Sequence, residues 1–130
     1  MDRLTERLQS AKRALTNLDE ALTIEIPSAL ERDATIKRFE LAFEAAWKAV
    51  KEYLWVHEGL DLASPKSVIR SCREIGLLSE EQTVTVLRMT DDRNLAVHTY
   101  NDALAEEIYS RIREHAILLN HWLKAIYRYF

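Results

Sequence analysis

Cysteine, glycine and proline are scarce in this 130-residue sequence, which has one, two and two of them. The lone Cys72 can neither close an internal disulfide nor hold a zinc ion by itself, so a disulfide scaffold and a zinc module are both excluded. A reducing compartment fits. Glycine only at positions 59 and 76 leaves no Gly-rich phosphate loop. So few turn residues also exclude the many tight turns of a β-sandwich or barrel. Long apolar runs are missing, so no segment is long enough to span a bilayer. The opening MDRLTERLQS carries charges where a secretory leader needs an apolar stretch. A cytoplasmic chain without membrane contact is expected. Neither sign of charge dominates: 18 basic against 21 acidic residues leave a net charge of -3. The molecule as a whole does not attract a polyanion, and any nucleic-acid contact has to be local, built from a few placed cations.

What is present is amphipathic helix. With 48% hydrophobic and 30% charged residues the chain is globular rather than disordered. Surface scaling gives about 7,000 Å² when folded against about 22,000 Å² extended, enough burial for one core and too little for two. Leu4, Leu8, Ala11, Leu15, Leu18 and Leu22 step by four and three along a first helix. Ile36, Phe39, Phe43, Trp47, Val50 and Leu54 repeat the pattern in a second, ending near Gly59. Ala105, Ile108, Ile112, His115, Leu119, Trp122 and Ile126 repeat it in the last. Two shorter helices lie between. Ser64-Pro65 reads as N-cap and first-turn proline, Gly76 as a C-terminal stop, and Ser79 with Gln82 as a capping box. From Leu77 to Phe130 there is neither glycine nor proline, and one helix of that length would reach about 80 Å. A break is required, and Thr90–Asn94 followed by His98–Asp102 is the polar stretch that offers one, with Asn101 or Asp102 capping the last helix. The expectation is an all-α, up-and-down four- or five-helix bundle, one domain over residues 1–130.

Several chemistries fail on spacing. No histidine has glutamate three residues before it, which a di-iron bundle needs, and none shows His-x3-His spacing, so no metal site is expected. Ser64–Arg88 has the length of a helix-turn-helix, but its second helix, EEQTVTVLRM, would turn two acids and one arginine toward phosphates. DNA binding is not expected.

The informative stretch is Asp91-Asp92-Arg93-Asn94-Leu95-Ala96-Val97-His98-Thr99-Tyr100. It gathers a guanidinium, an amide, an imidazole and a phenol where the helical pattern has to break. Arginine matches phosphate oxygens bidentately and stays charged, and histidine moves a proton near neutral pH. In a continuous helix Arg93 and His98 stand about 140° apart, while Asn94 and His98 share a face. They converge only if the helix unwinds, if Arg93 wraps around, or if a second subunit supplies the partner. On the residues alone, a helix end with satisfied polar groups is an equal reading.

Arg93, four residues, His98, one residue, Tyr100 resembles the Arg-x4-His-x-Tyr signature of HEPN-domain proteins. Arg38-Phe39-Glu40, Phe43-Glu44 and Trp47-Lys48, then Ser64-Pro65 with Val68-Ile69-Arg70, then Asp92-Arg93-Asn94 with His98-Thr99-Tyr100 are similar to one branch. This is the nucleotidyltransferase substrate-binding proteins encoded beside a minimal nucleotidyltransferase. Asp91 stands where an acid precedes Asp92, and Ala105–Ile112 is also family-like; together the blocks span roughly residues 33–112. The resemblance implies a dimeric helical bundle acting as the toxin of a toxin–antitoxin module, a metal-independent endoribonuclease without cofactor. His98 would then be general base or acid, Arg93 would stabilise the transition-state charge, and Asn94 would orient phosphate or His98. The partner nucleotidyltransferase, the antitoxin, would add AMP to Tyr100 and block RNA by bulk and like charge. The runner-up from another class is a non-catalytic subunit that binds a nucleotide or other substrate for that nucleotidyltransferase. A plain helical adaptor is a third.

Other residues have two readings each. Glu40, Glu44 and Lys48 are either a solvated row or support for the site, and Asp92 belongs to the same motif. Arg38 is either a phosphate contact or a structural partner of an acid. His115 reads as a core histidine, His57 and His121 as surface or helix-end residues. Phe39, Phe43 and Trp47 read as core rather than as a stacking platform for bases. Tyr127-Arg128-Tyr129-Phe130 reads as a dimer contact or a frayed end.

Overall fold

In the computed structural model, which describes residues 2–127, the helical expectation holds: five α-helices and no strand among the described residues. The helix α1 (Arg3–Ala21) is capped by Asp2, whose carboxylate accepts from the Thr5 amide at 2.7 Å. Helix α2 (Ala29–Glu58) begins on a capping box of Ser28 and Glu31 and ends at Gly59, where φ of +67° suits a residue without Cβ. Helix α3 (Pro65–Glu74) has Ser64 as N-cap and proline in its first turn, and Gly76 just beyond it has φ of +83°. Helix α4 (Glu80–Leu95) starts on the Ser79–Gln82 box. A single 3-10 turn (Ala96–His98) follows, and α5 (Asp102–Tyr127) opens with the Leu104 amide donating to Asn101 Oδ1 at 3.1 Å.

The chain breaks later than the polar composition alone required. Thr90–Asn94 stays helical and the break falls at 96–101. Thr90 donates back to the Val86 carbonyl at 3.2 Å, and Asp92 turns inward to partners on α5, so two polar groups of that run are satisfied within a helix.

Helix α2 touches α1, α3, α4 and α5, and the core lies around it. All three apolar stripes are buried, and Phe39, Phe43 and Trp122 are among the largest side chains with no exposure. Truncating any of these to alanine costs about 3–5 kcal/mol by the usual large-to-small series. The accessible surface is 7514 Å², close to the scaling value for one core. Cys72 is fully buried, which pushes its thiol up to about 12. Tyr127 is half-buried and donates to the Leu8 carbonyl at 3.1 Å, tying the end of α5 to α1; Met1 and Arg128, Tyr129 and Phe130 lie outside the described residues. No helix among the described residues is long and apolar enough to cross a membrane.

Candidate functional site

Asp92 and Arg93 are chain neighbours on α4 that face different helices, α5 and α2. Asp92 is buried. Arg111 of α5 donates to it through Nε at 2.8 Å and through Nη2 at 2.7 Å, and His115 Nε2 lies 2.7 Å from the same carboxylate. Burial alone would raise the Asp92 pKa. The bonds from Arg111 and His115 outweigh it and hold the group below its ordinary value of 3.8. The same pairing raises Arg111. Because the carboxylate is ionised, His115 Nε2 carries the shared proton as donor. The His115 ring stacks on Phe39 at 5.4 Å, and its Nδ1 is buried without a hydrogen-bond partner among the described residues. The core histidine of the last stripe is thus real, and its polar end ties α5 to α4.

Arg93 is held more loosely. Its guanidinium carbon sits 5.4 Å from the Phe43 ring centroid, and Nη1 lies 3.3 Å from a Glu44 oxygen. Glu44 also pairs with Lys48 at 3.5 Å. Both side chains of the Arg93–Glu44 pair are about one-third exposed, at 29% and 35%, so the pair is worth only about 0–1 kcal/mol. A phosphate that offers two oxygens competes well against such a contact. Phe43 thereby carries a double duty, buried in the core and lending its face to Arg93.

The 3-10 turn carries His98 outward. His98 Nδ1 lies 3.2 Å from the Tyr100 hydroxyl, the rings meeting edge-on at 5.8 Å and 82°. Tyr100 is 84% exposed, and Asn94 faces solvent in the last turn of α4. Between Arg93 and His98 the α-helix tightens after Leu95 into the 3-10 turn, and among the described residues no hydrogen bond joins the two side chains. Val97, Leu95 and Leu41 leave apolar surface exposed on this corner and on the α2 turn before Glu44.

The remaining site candidates separate. Glu44 and Lys48 join Arg93, whereas Glu40 pairs with Lys37 at 3.6 Å and Asp91 with Lys66 at 3.1 Å. Arg38 faces α1, donating to the Asn17 carbonyl at 2.7 Å with Glu20 at 4.0 Å, so its partners are structural rather than those of the Arg93 cluster.

Two residues escaped the sequence reading. Arg111 lies inside the Ala105–Ile112 block, one turn before His115, and that i, i+4 relation was the available signal. Arg32 extends the α2 stripe one turn before Ile36. It is buried and pairs with Asp33 at 3.0 Å, Asp102 at 3.1 Å and Glu106 at 2.8 Å. It fixes the first turn of α5, where the motif corner ends.

The family model described as nucleotidyltransferase substrate binding protein like matches residues 6–128. A Thermus thermophilus protein of known crystal structure is 50% identical, with a TM-score of 0.86 over 89% of this chain and 98% of that one. A Haemophilus influenzae protein, HI0074, described as having the fold of a substrate binding domain of a nucleotidyltransferase, shares that fold. It is 20% identical, with a TM-score of 0.78 over 92% of this chain and 98% of its own. Among curated proteins none matches the chain significantly.

Proposed function

Because the chain belongs to the nucleotidyltransferase substrate-binding-protein-like family, we propose that it is the HEPN-type toxin of a two-component module. In this reading it is a cytoplasmic, homodimeric, metal-independent endoribonuclease. A partner minimal nucleotidyltransferase restrains it by adding AMP to Tyr100. The observation that carries the reading is the corner at the end of α4, where Arg93 and Asn94 in its last turn are followed by His98 on the 3-10 turn and Tyr100 just beyond, and Arg93 is only loosely paired.

The chemistry uses the substrate's own nucleophile. The ribose 2′-oxygen attacks the adjacent phosphorus, the bond to the 5′-oxygen breaks, and a 2′,3′-cyclic phosphate remains. His98 takes the 2′-hydroxyl proton or gives one to the leaving oxygen. Arg93 leaves Glu44 for the phosphate oxygens, whose charge grows in the transition state. Asn94 orients the phosphate. A dimer packed through the apolar surface of Val97 and Leu95 sets two such groups face to face, so that one His98 serves as base and the other as acid. AMP on the exposed Tyr100 puts a bulky anion two residues from His98, where it repels RNA.

A second reading has its own support. The net charge is -3, and Glu44 already occupies Arg93, both of which suit a subunit that binds a nucleotide or other small substrate for the nucleotidyltransferase better than one that holds a long polyanion. One experiment separates them. Purified protein of verified unmodified mass is incubated with single-stranded and structured RNAs in EDTA, beside His98→Ala and Arg93→Ala. Cleavage by the wild type alone, leaving cyclic phosphate ends, is the expected result. No cleavage of any RNA in the panel moves the assignment to the binding subunit.

A further inference from the structure

We infer that His98 and Tyr100 form a base–nucleophile pair, in which His98 Nδ1 accepts the phenolic proton as Tyr100 Oη attacks a nucleoside triphosphate. The inference rests on the proposed modification of Tyr100 and deepens it by giving the modified chain a share in its own modification. Imidazole and phenol are 3.2 Å apart, at the edge of the range within which a base takes a proton directly from a nucleophile. With the phenol donating to Nδ1, the ring proton of neutral His98 resides on Nε2. Asn101 ties down the end of the segment. The Asn101 amide donates to the His98 carbonyl at 3.1 Å, and the Asn101 side chain caps α5, so Tyr100 sits within a closed turn. The backbone thereby fixes the turn on which His98 and Tyr100 come within reach of each other.

No other described tyrosine combines these features. Tyr53 approaches His57 with ring centroids 4.7 Å apart, but only 4% of it is exposed, so a triphosphate has no approach. Tyr109 is half-buried, and Tyr127 is half-buried and already donates to the Leu8 carbonyl. Tyr100 alone among the described tyrosines offers an exposed hydroxyl against an imidazole nitrogen.

The step balances. A bond forms between Tyr100 Oη and the α-phosphorus of ATP held by the nucleotidyltransferase. The bond from that phosphorus to the bridging oxygen of the β-phosphoryl breaks, and pyrophosphate leaves with the electron pair. The phenolic proton passes to His98 Nδ1 and then to solvent.

Two measurements on the full chain test this, with intact mass and peptide mapping as readout. In the first, the chain alone is treated with an aryl sulfonyl fluoride, which labels phenols that have a base at hand. Wild type is compared with His98→Ala, His98→Gln and Tyr100→Phe. His98 is exposed, so the variants are expected to keep the wild-type melt, which is checked. Tyr100 is expected to be labelled before the other tyrosines, and both His98 variants to react at least about tenfold more slowly. His98→Gln is decisive because an amide can hydrogen-bond the phenol but cannot carry its proton away. In the second, a cognate minimal nucleotidyltransferase and ATP are added, and AMP transfer to His98→Gln is expected to fall about 100-fold. Equal labelling or equal AMP transfer in wild type and His98→Gln overturns the pair. His98-dependent labelling with no AMP on the wild type overturns the modification reading instead.

Discussion

Asp92 and Arg93 occupy consecutive positions and live in different chemical worlds. Asp92 is buried, accepts three short bonds from two residues of α5 and has little freedom left. Arg93, about one-third exposed, rests on one aromatic face and one carboxylate exposed to a similar degree. A polar group whose partners are complete holds elements together, whereas one whose partners are few and exposed remains available to a ligand. The same contrast separates Arg32, surrounded by three carboxylates, from His98, with a single phenol beside it. Polar residue type does not separate the two groups here. Completeness of pairing does, and the roles proposed for Arg93 and His98 follow that line.

The largest expected effect lies on the exposed side. His98→Ala should lower RNA cleavage by roughly 10²–10⁴ while shifting stability by less than about 0.5 kcal/mol, read from single-turnover rates and a denaturant melt. On the buried side the order reverses. Asp92→Asn removes the charge and turns an NH2 donor toward Arg111 or His115 in place of one acceptor oxygen; it should cost about 3 kcal/mol, a fall of about 10 °C in melting temperature, while the folded fraction loses far less activity than His98→Ala does. A variant of Asp92 with wild-type stability and no activity would break the contrast.

Acid gives the next test. The folded-state pKa of Asp92 lies below 3.8, so its contribution is complete above the unfolded value and is lost as pH falls through the folded one. Between those values the unfolded chain binds more protons. Wild type should therefore lose stability faster than Asp92→Asn as pH drops below about 4, as followed by melts across that range. A smaller effect is expected at Glu44. Glu44→Gln removes the competitor for Arg93 and should tighten RNA by a few-fold at low salt, adding about one to the salt slope, with a stability change under about 1 kcal/mol. The smallest concerns Cys72, whose buried thiol titrates near 12. At pH 8 it should resist alkylation in the native protein and react once unfolded, as mass spectrometry after timed labelling would read.

Much of the scaffold was legible because local chemistry and global packing agree in it. The three stripes, the Ser79–Gln82 capping box, the proline start of α3 and the asparagine cap of α5 all follow from helix periodicity and unsatisfied terminal groups. The motif was legible as a set of residue types, and its resemblance to a family supplied their roles. The partners were not legible. Asp92 to Arg111 and Arg32 to Glu106 join residues 19 and 74 positions apart, and no periodicity announces a pairing across helices. Nor did spacing reveal that Glu44 would meet Arg93, since each is also read well as a surface ion-pair residue. The break was displaced to 96–101 for the same reason: Asp92 finds its bonds on α5, which keeps the preceding polar turn helical.

The most direct test of this division is cleavage of one responsive RNA in EDTA by wild type and Arg93→Ala, at a temperature where both are folded. Unmodified mass is confirmed for each protein. The account predicts a loss of at least about 100-fold with an unchanged melting curve. Equal cleavage by the two proteins, or a loss that tracks a lowered melting temperature, would contradict it.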